Sequence, residues 1–234
     1  MLTTALLSTS TTVPSTLPTS PEDRFVASEL IASDDFRDAS QLVTELESGG
    51  TVEAKDGVLI INAPAGCTVW FKPALEGPVM IEYDATVISA GGANDRVSDL
   101  NCFWMATDAR AGDDFFSKPR SGKFADYNEL KCYYVGVGGN GNTTTRFRRY
   151  VGDRELRPLL PEHDLHDADD LLKPNTSYHV RIISTDKLIQ FWRDDRKLFE
   201  LVDLAPYVRG QFGWRTVSNH MQVRNFRMWR LKTR

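Results

Sequence analysis

The feature that most constrains the fold is a succession of short segments rich in β-branched and aromatic residues, separated by Gly, Asp and Asn. Such segments predict strands joined by turns. The regular alternation of strands and helices that marks α/β proteins is missing. We therefore predict an all-β fold, an antiparallel β-sandwich or barrel. Its strands are expected at 58–62, 67–71, 79–87, 101–106, 128–136, 144–151, 178–183, 188–192, 197–202, 210–216 and 221–231.

Two stretches interrupt this pattern. Residues 34–46 have a weakly amphipathic, helix-like spacing, and residues 163–172 could form one helical turn. The first 21 residues contain no charged side chain, and from Ser8 to Pro21 nearly all are Ser, Thr or Pro. Because this composition buries little apolar surface, we predict a disordered leader or linker at 1–22 and a single all-β domain at 23–234.

The same Ser/Thr/Pro-rich lead is typical of extracellular proteins, so we expect a secreted or periplasmic location. The apolar stretch Ala5-Leu6-Leu7 is short for a secretory signal, and no basic residue precedes it. Cys67, Cys102 and Cys132 have no metal-binding or redox spacing. They are expected to be buried thiols, with one disulfide left open for an exported protein.

Charge and hydropathy exclude two classes of partner. Lys and Arg number 28 against 32 Asp and Glu, a formal net charge of −4, which argues against a nucleic-acid-binding domain. No apolar run approaches the roughly 18 residues of a membrane-spanning helix. We expect a monomer that contacts neither nucleic acid nor the membrane interior.

Several stretches carry a resemblance to a known fold family. They are 34–36, 56–64, 68–87, 127–136, 175–195 and 210–231, the last containing Gly-x-Phe-Gly-x-Arg-Thr. Together they resemble the concanavalin A-like jelly-roll superfamily, which includes laminin-G-like domains, laminarinase-type glycosidases, jelly-roll polysaccharide lyases and keto-glycoside hydrolases. The chain also resembles bacterial secreted proteins of this fold that are linked to polysaccharide breakdown. The resemblance implies a polysaccharide or oligosaccharide ligand but does not select a reaction.

Two neighbouring segments, 127–135 and 144–151, concentrate arginine, lysine and tyrosine, and the loop 136–142 suits a hairpin between them. Side chains alternate across a strand, so each segment has two faces. We place Leu130, Cys132, Phe147 and Val151 toward the core. The opposite faces then form one polar, concave cleft from Tyr127, Glu129, Lys131, Tyr133, Thr144, Arg146, Arg148 and Tyr150.

This set of side chains suits β-elimination in a uronate-containing polysaccharide. Arg146 and Arg148 would neutralise the uronate carboxylate, which acidifies the C5 proton. Tyr133 or His220 would move that proton, while Glu129 and Lys131 orient the sugar. The alternative is a solvated sheet face whose charges pair across strands.

Further candidates lie elsewhere in the chain. Asn101, Tyr150, Trp214 and Arg215 are assigned to substrate binding, although Trp214 suits the core equally well and His220 suits a structural role. Asn94, Asp95, Arg96 and Asp99 form either a cleft rim or a solvated loop. His163 and His166 lie in an acidic stretch without a recognised metal-ligand spacing. No metal ligand is assigned; the function requires no cofactor, and a structural calcium ion is left open.

We therefore predict an extracellular carbohydrate-active enzyme, a polysaccharide lyase. Two alternatives stay open: a non-catalytic carbohydrate-binding module, and a glycoside hydrolase, including the keto-glycoside type. Laminarinase-type hydrolysis is disfavoured because the Glu-x-Asp-x-Glu pattern is absent, and Glu82-Tyr83-Asp84 comes nearest to it.

Overall fold

The computed structural model describes residues 25–233, so the predicted leader at 1–22 lies outside the described residues. Strands account for most of this range, and the remainder consists of loops, turns and a few single helical turns. The strands are β1 (Phe25–Asp34), β2 (Leu42–Leu46), β3 (Thr51–Lys55), β4 (Val58–Glu76), β5 (Val79–Val87), β6 (Leu100–Thr107), β7 (Lys131–Gly138), β8 (Thr144–Val151), β9 (Asp164–Leu165), β10 (Ser177–Ser184), β11 (Leu188–Arg193), β12 (Arg196–Val202) and β13 (Arg209–Thr233).

Two layers arise because one strand takes part in both. Hydrogen bonds connect the strands in the order β12-β11-β10-β5-β13-β6-β7-β8-β9. The first half of β13 pairs with β6 and the second half pairs with β5. We call β12, β11, β10, β5 and the second half of β13 layer 1. Layer 2 contains the first half of β13 with β6, β7, β8 and β9, and on the other side of β13 the second half of β4 and β2 extend it. The predicted antiparallel β-sandwich is confirmed.

The crossing between the layers is a local irregularity in β13. Its register against β4 shifts between Val217 and Asn219, and Ser218 between them has a φ of 46°. Opposite Ser218, β4 has two residues, Pro64 and Ala65, so the extra residue belongs to β4. A bulge of this kind bends the paired strands and increases their twist. The bend lets β13, which is 25 residues long, contribute to both layers.

Apolar side chains fill the space between the layers. Trp104 of layer 2 stacks on Phe191 of layer 1, with ring centroids 6.5 Å apart, and Phe147 stacks on Phe199 at 5.9 Å. A second apolar cluster lies on the outer face of layer 2, where the segment 108–130 covers it. The three cysteines are buried free thiols. This agrees with the expectation of buried thiols and not with the alternative of a disulfide.

The predicted helix at 34–46 is wrong. β1 ends at Asp34, and β2 is a strand paired with β4 in the register Leu42 to Phe71. Strand pairing with β4 satisfies this backbone, and such tertiary pairing overrides a weak helical pattern. Single 3-10 turns at Pro161–His163 and Ala168–Asp170 do occur near the other predicted helical stretch. Among residues 25–233, no helix has the length and apolar character needed to cross a membrane.

Candidate functional site

A cleft of about 440 Å³ lies on the outer face of layer 2, across β6, β7 and β8. Strand register brings its side chains together in two transverse rows. The first row is Asn101, Gly136 and Arg146, and the second is Phe103, Tyr134 and Arg148. Directly opposed residues point to the same face of a sheet, so both rows face outward. We call this the Arg cleft.

Four guanidinium groups line the Arg cleft, and two of them have carboxylate partners. Arg146 binds Asp164 through two hydrogen bonds of 2.7 and 3.0 Å, and Arg96 lies 2.6 Å from Asp99. The other two are Arg148 and Arg157.

Arg148 and Arg157 have no carboxylate within ion-pair distance among residues 25–233. The Arg148 side chain instead donates to the backbone oxygen of Arg157 at 2.5 Å. Burial lowers the pKa of Arg148, and the positive charges of Arg157 and Arg146 act in the same direction. Arginine nevertheless stays charged in proteins, so this wall of the cleft is positive. An anion placed here would be stabilised.

Two tyrosines form the floor. Tyr134 packs among Phe103, Phe124 and Tyr150, with ring centroids 5.0 to 5.7 Å away. Burial raises the pKa of Tyr150 to about 12 and that of Tyr134 well above its ordinary value. Both hydroxyls are therefore protonated at neutral pH. They can donate hydrogen bonds to a ligand, but neither begins as a phenolate base.

The wall opposite Arg148 and Arg157 carries Arg96 together with hydrogen-bond acceptors. Asp99 precedes β6, and its Oδ2 accepts bonds of 2.6 Å from both Arg96 and Ser98. Its Oδ1 accepts a bond of 3.3 Å from the amide of Asn101. Because Asp99 can only accept, the Asn101 amide nitrogen must face it, which fixes the orientation of that side chain.

The segment 108–130 closes one end of the cleft with Phe124 and is held by buried charges. Arg120 pairs with Glu45 at 3.1 Å and with Asp108 at 3.2 Å, and these side chains are at most 4% exposed. Glu45 also accepts hydrogen bonds of 2.8 Å from Trp70 and Tyr127. The wall of the cleft thus depends on a network that begins on β2.

Comparisons with known proteins identify the family to which the chain belongs. A family model described as "Domain of unknown function (DUF6250)" matches residues 61–226. The chain belongs to the DUF6250 family. No curated protein matches the sequence.

Solved structures share the fold of the DUF6250 domain at low sequence identity. A Bacillus subtilis protein of unknown function with a galectin-like fold superposes with a TM-score of 0.70 at 16% identity, covering 90% of this chain and all of the other. The metal-free carbohydrate recognition domain of Emp46p gives 0.57 at 13% identity, covering 86% and 93%. The carbohydrate-binding module CBM66 from Bacillus subtilis gives 0.54 at 12%, covering 81% and 95%. These likenesses show a jelly-roll fold.

The predicted catalytic pair Arg146 and Arg148 lines the Arg cleft of the DUF6250 domain, together with the predicted binding residues Tyr150 and Asn101. Tyr133 does not. It points between the layers, where its hydroxyl donates to Asp203 at 2.7 Å. The prediction placed it in the cleft because Leu130 and Cys132 were assigned to the inter-layer core. They are buried, but on the outer face, beneath the segment 108–130.

Three other predicted residues lie away from the cleft. Glu129 precedes β7 and pairs with Arg110 and Arg154. Lys131 is exposed at the start of β7. His220 lies on β13 beyond the crossing, where its Nδ1 is 2.9 Å from Asp95. The cleft therefore lacks the predicted histidine.

Trp214 and Arg215 are both fully buried in the DUF6250 domain. Trp214 packs in the inter-layer core, edge-on to Phe226 at 4.7 Å. Arg215 lies beneath Phe124, donates to Thr68 at 3.1 Å and binds the backbone oxygen of Gly122. Its side chain anchors the segment 108–130 and is too deeply buried to contact a sugar directly. The structure thus gives both Trp214 and Arg215 structural positions instead of the expected substrate-binding ones.

The acidic stretch does not draw its histidines together. His163 is buried against Phe147 and its Nε2 contacts the backbone oxygen of Glu200. His166 lies outside, 3.1 Å from Asp164. Within residues 25–233, no group of three or more His, Cys, Asp or Glu side chains is arranged to hold a metal ion.

Among the lining residues that were not assigned from the sequence are Tyr134, Arg157 and Phe124. The position of Tyr134 could have been predicted from the sequence. A hairpin loop at 136–142 opposes even-numbered residues of one strand to even-numbered residues of the other, which pairs Tyr134 with the face of Arg148. Arg157 and Phe124 lie on loops, where alternation predicts nothing.

Proposed function

We propose that the Arg cleft binds an anionic saccharide, with its charged group against Arg148 and Arg157. The observation that carries this proposal is the pair of guanidinium groups without carboxylate partners in the described chain. Guanidinium groups bind carboxylates and related anions through paired, charge-assisted hydrogen bonds. The ligand would supply the negative charge that this wall lacks.

The lining favours a sugar over a bare anion. Neutral tyrosine hydroxyls, the Asn101 amide and Thr144 provide donors and acceptors, and Phe124 provides an apolar surface. Saccharide sites combine such polar groups with aromatic faces. Two structures with this fold are named for carbohydrate binding, CBM66 and the Emp46p recognition domain, which supports a saccharide ligand. We expect a uronate polymer and a secreted or periplasmic location.

Calorimetric titration tests the binding function. Wild-type protein is titrated with oligogalacturonate, oligoglucuronate and, as a neutral comparison, cello-oligosaccharide. At least one acidic oligosaccharide should bind, and Arg148→Ala or Arg157→Ala should weaken it about tenfold or more, because each removes charge-assisted hydrogen bonds. The matched control Arg37→Ala removes an arginine that is 84% exposed and paired with Asp35, and it should bind like the wild type. Equal binding of the neutral sugar, unaffected by either cleft variant, would overturn the proposal.

A second candidate function, β-elimination at the same cleft, is favoured by the protonated Tyr150 beside the arginines. Arg148 would neutralise the uronate and so acidify its C5 proton. In this alternative the sugar binds in a different orientation, with C5 rather than its ring hydroxyls toward Asp99. Asp99 would accept the C5 proton, the C4–O bond would break, a C4=C5 double bond would form, and Tyr150 would protonate the departing oxygen. These residues replace Tyr133 and His220, which lie elsewhere.

Ultraviolet absorbance of the unsaturated uronate distinguishes the lyase from a binding module. Tyr150→Phe should abolish formation of this product, while calorimetry should still detect bound oligosaccharide, because the phenyl ring is retained. Polymer that binds without ever yielding the unsaturated product would refute β-elimination and leave the binding function in place.

A further inference from the structure

We infer that the Arg cleft has two chemically different walls, which we call its poles. The arginines bind the carboxylate of an acidic sugar, and Asp99 accepts hydrogen bonds from hydroxyl groups on the opposite side of that sugar. The cleft thereby selects acidic sugars that present such hydroxyl donors. This inference rests on the proposed function. It goes further, because the arginines alone would accept any anion of suitable size.

The two poles lie on different strands. Arg148 and Arg146 belong to β8, whereas Asp99 directly precedes β6 and Asn101 lies near its start, and β7 runs between them. Adjacent strands are about 4.8 Å apart, so the poles are separated by roughly 10 Å at the backbone. The cleft between the two walls, of about 440 Å³, is large enough for one pyranose ring.

Gly136 has no side chain, so the surface of β7 midway between the two poles is open. A Cβ atom at this position would lie 2.8 Å from the hydroxyl of Tyr134 and would push the Tyr134 side chain away from its present position across β7. The floor between the poles is therefore an aromatic side chain with a neutral hydroxyl. A sugar ring can lie over it with its two edges facing opposite walls.

Asp99 is suited to accept from hydroxyl groups. Its side chain is 11% exposed and lines the cleft. Oδ2 already accepts from Arg96 and Ser98, whereas Oδ1 accepts only the 3.3 Å bond from Asn101. A carboxylate oxygen has more than one acceptor position, so Oδ1 can take a further donor.

The first test uses the wild-type protein and two ligands. Whichever of trigalacturonate and triglucuronate binds more tightly in calorimetry is compared with its O-methyl ether, which keeps the carboxylates but lacks hydroxyl donors. We expect at least tenfold weaker binding of the ether. Equal affinity would overturn the inference.

The second test distinguishes hydrogen bonding between Asp99 and the sugar hydroxyls from a general effect of the Asp99 charge. Asp99→Asn should weaken the trisaccharide about tenfold, and it should leave the affinity for acetate, an anion without hydroxyls, unchanged or increased. Removal of a negative charge alone would strengthen both ligands, which would contradict the assignment. Should this variant fail to unfold cooperatively like the wild type, the ether comparison decides.

The outcomes also separate this inference from the proposed function. If neither acidic trisaccharide binds, the proposed function fails. If the trisaccharide binds and requires Arg148, but O-methylation and Asp99→Asn have no effect, only the inference about Asp99 fails.

Discussion

Tyr133 and Tyr134 are adjacent in the chain but serve opposite faces of β7. The hydroxyl of Tyr133 donates to Asp203 at 2.7 Å and accepts from the backbone N–H of Tyr207 at 3.1 Å. Tyr134 lines the Arg cleft. The two residues therefore offer a matched pair in which loss of a single oxygen atom should affect either stability or binding.

Tyr133→Phe should lower the free energy of unfolding by about 1–2 kcal/mol, because it leaves the buried Asp203 carboxylate with one donor fewer. Its affinity for the acidic oligosaccharide should not change. Tyr134→Phe should do the reverse, weakening binding with little effect on unfolding. Urea denaturation and calorimetry measure the two quantities. A loss of binding in Tyr133→Phe would show that the face assignment of β7 is wrong.

Alternation predicted which residues of β7 share a face but could not decide which face is inner. Both faces are apolar. Tyr133 and Val135 pack between the layers, while Cys132 and Leu130 pack under the segment 108–130. Hydrophobicity therefore gave no preference, and only the pairing with Arg148 across the hairpin would have resolved it.

At the scale of elements, the segment 108–130 is the part that sequence reasoning could not place. Its anchor, the pair of Arg120 and Glu45, joins positions 75 residues apart. Glu45 was expected in a helix, whereas it lies on β2. Nothing local marks such a contact, because a buried ion pair depends on the tertiary positions of both partners.

Breaking that pair should be costly. Arg120→Met leaves Glu45 as a buried carboxylate without its counter-ion, which typically destabilises a protein by about 3–5 kcal/mol. The double variant Arg120→Met/Glu45→Gln should lose less than the sum of the single variants, because no buried charge is then left unpaired between these two positions. Urea denaturation of all three variants measures this coupling; strict additivity would contradict it.

Gly122 gives a second test of the same segment. Its φ is +85°, and a Cβ atom there would lie 2.3 Å from the backbone nitrogen of Glu47. Gly57, in the β3–β4 turn, has nearly the same φ of +83° but no atom within 4 Å of that position.

Gly57→Ala should therefore cost only the left-handed backbone penalty, about 1–2 kcal/mol. Gly122→Ala should cost clearly more and also weaken oligosaccharide binding, since the segment that carries Phe124 must shift. Thermal unfolding and calorimetry compare the two variants. Equal destabilisation would mean that the segment is not closely packed against β2.

At the scale of the molecule, the sandwich was predictable because its strands are short, separated and joined by turn residues. The sequence did not reveal that 58–62 and 67–71 form one strand, β4, or that 210–216 and 221–231 form one strand, β13. The interruption at Ser218 reads as a turn, since a bulge and a turn both break alternation. Continuity of hydrogen bonding across such a bend is set by the partner strand.

The pH dependence of stability should report a charge cluster on the outer face of layer 1. His179 on β10 lies 2.8 Å from Asp84 and 3.5 Å from Glu82, both on β5, and Arg181 donates to Glu82 at 2.8 Å. From β13, Asn225 donates to Asp84 at 2.6 Å. The hydrogen bond to Glu82 raises the pKa of His179 above its ordinary value of 6.5. Burial opposes ionisation of Glu82, but its bonds to His179 and Arg181 hold its pKa below the ordinary value.

The direction of the effect follows from these shifts. A histidine whose pKa is raised on folding stabilises the protein fully below the unfolded value of 6.5, and this contribution disappears as the pH rises through the folded value. The contribution of Glu82 is present above its unfolded pKa of 4.5 and is lost as the pH falls. The two overlap in weakly acidic solution. His179→Gln should therefore lower the unfolding temperature most near pH 6 and progressively less toward about pH 9, where the histidine is neutral in both states. Thermal unfolding of wild type and variant across this range measures the difference, and a difference independent of pH would show that the imidazole acts only through packing.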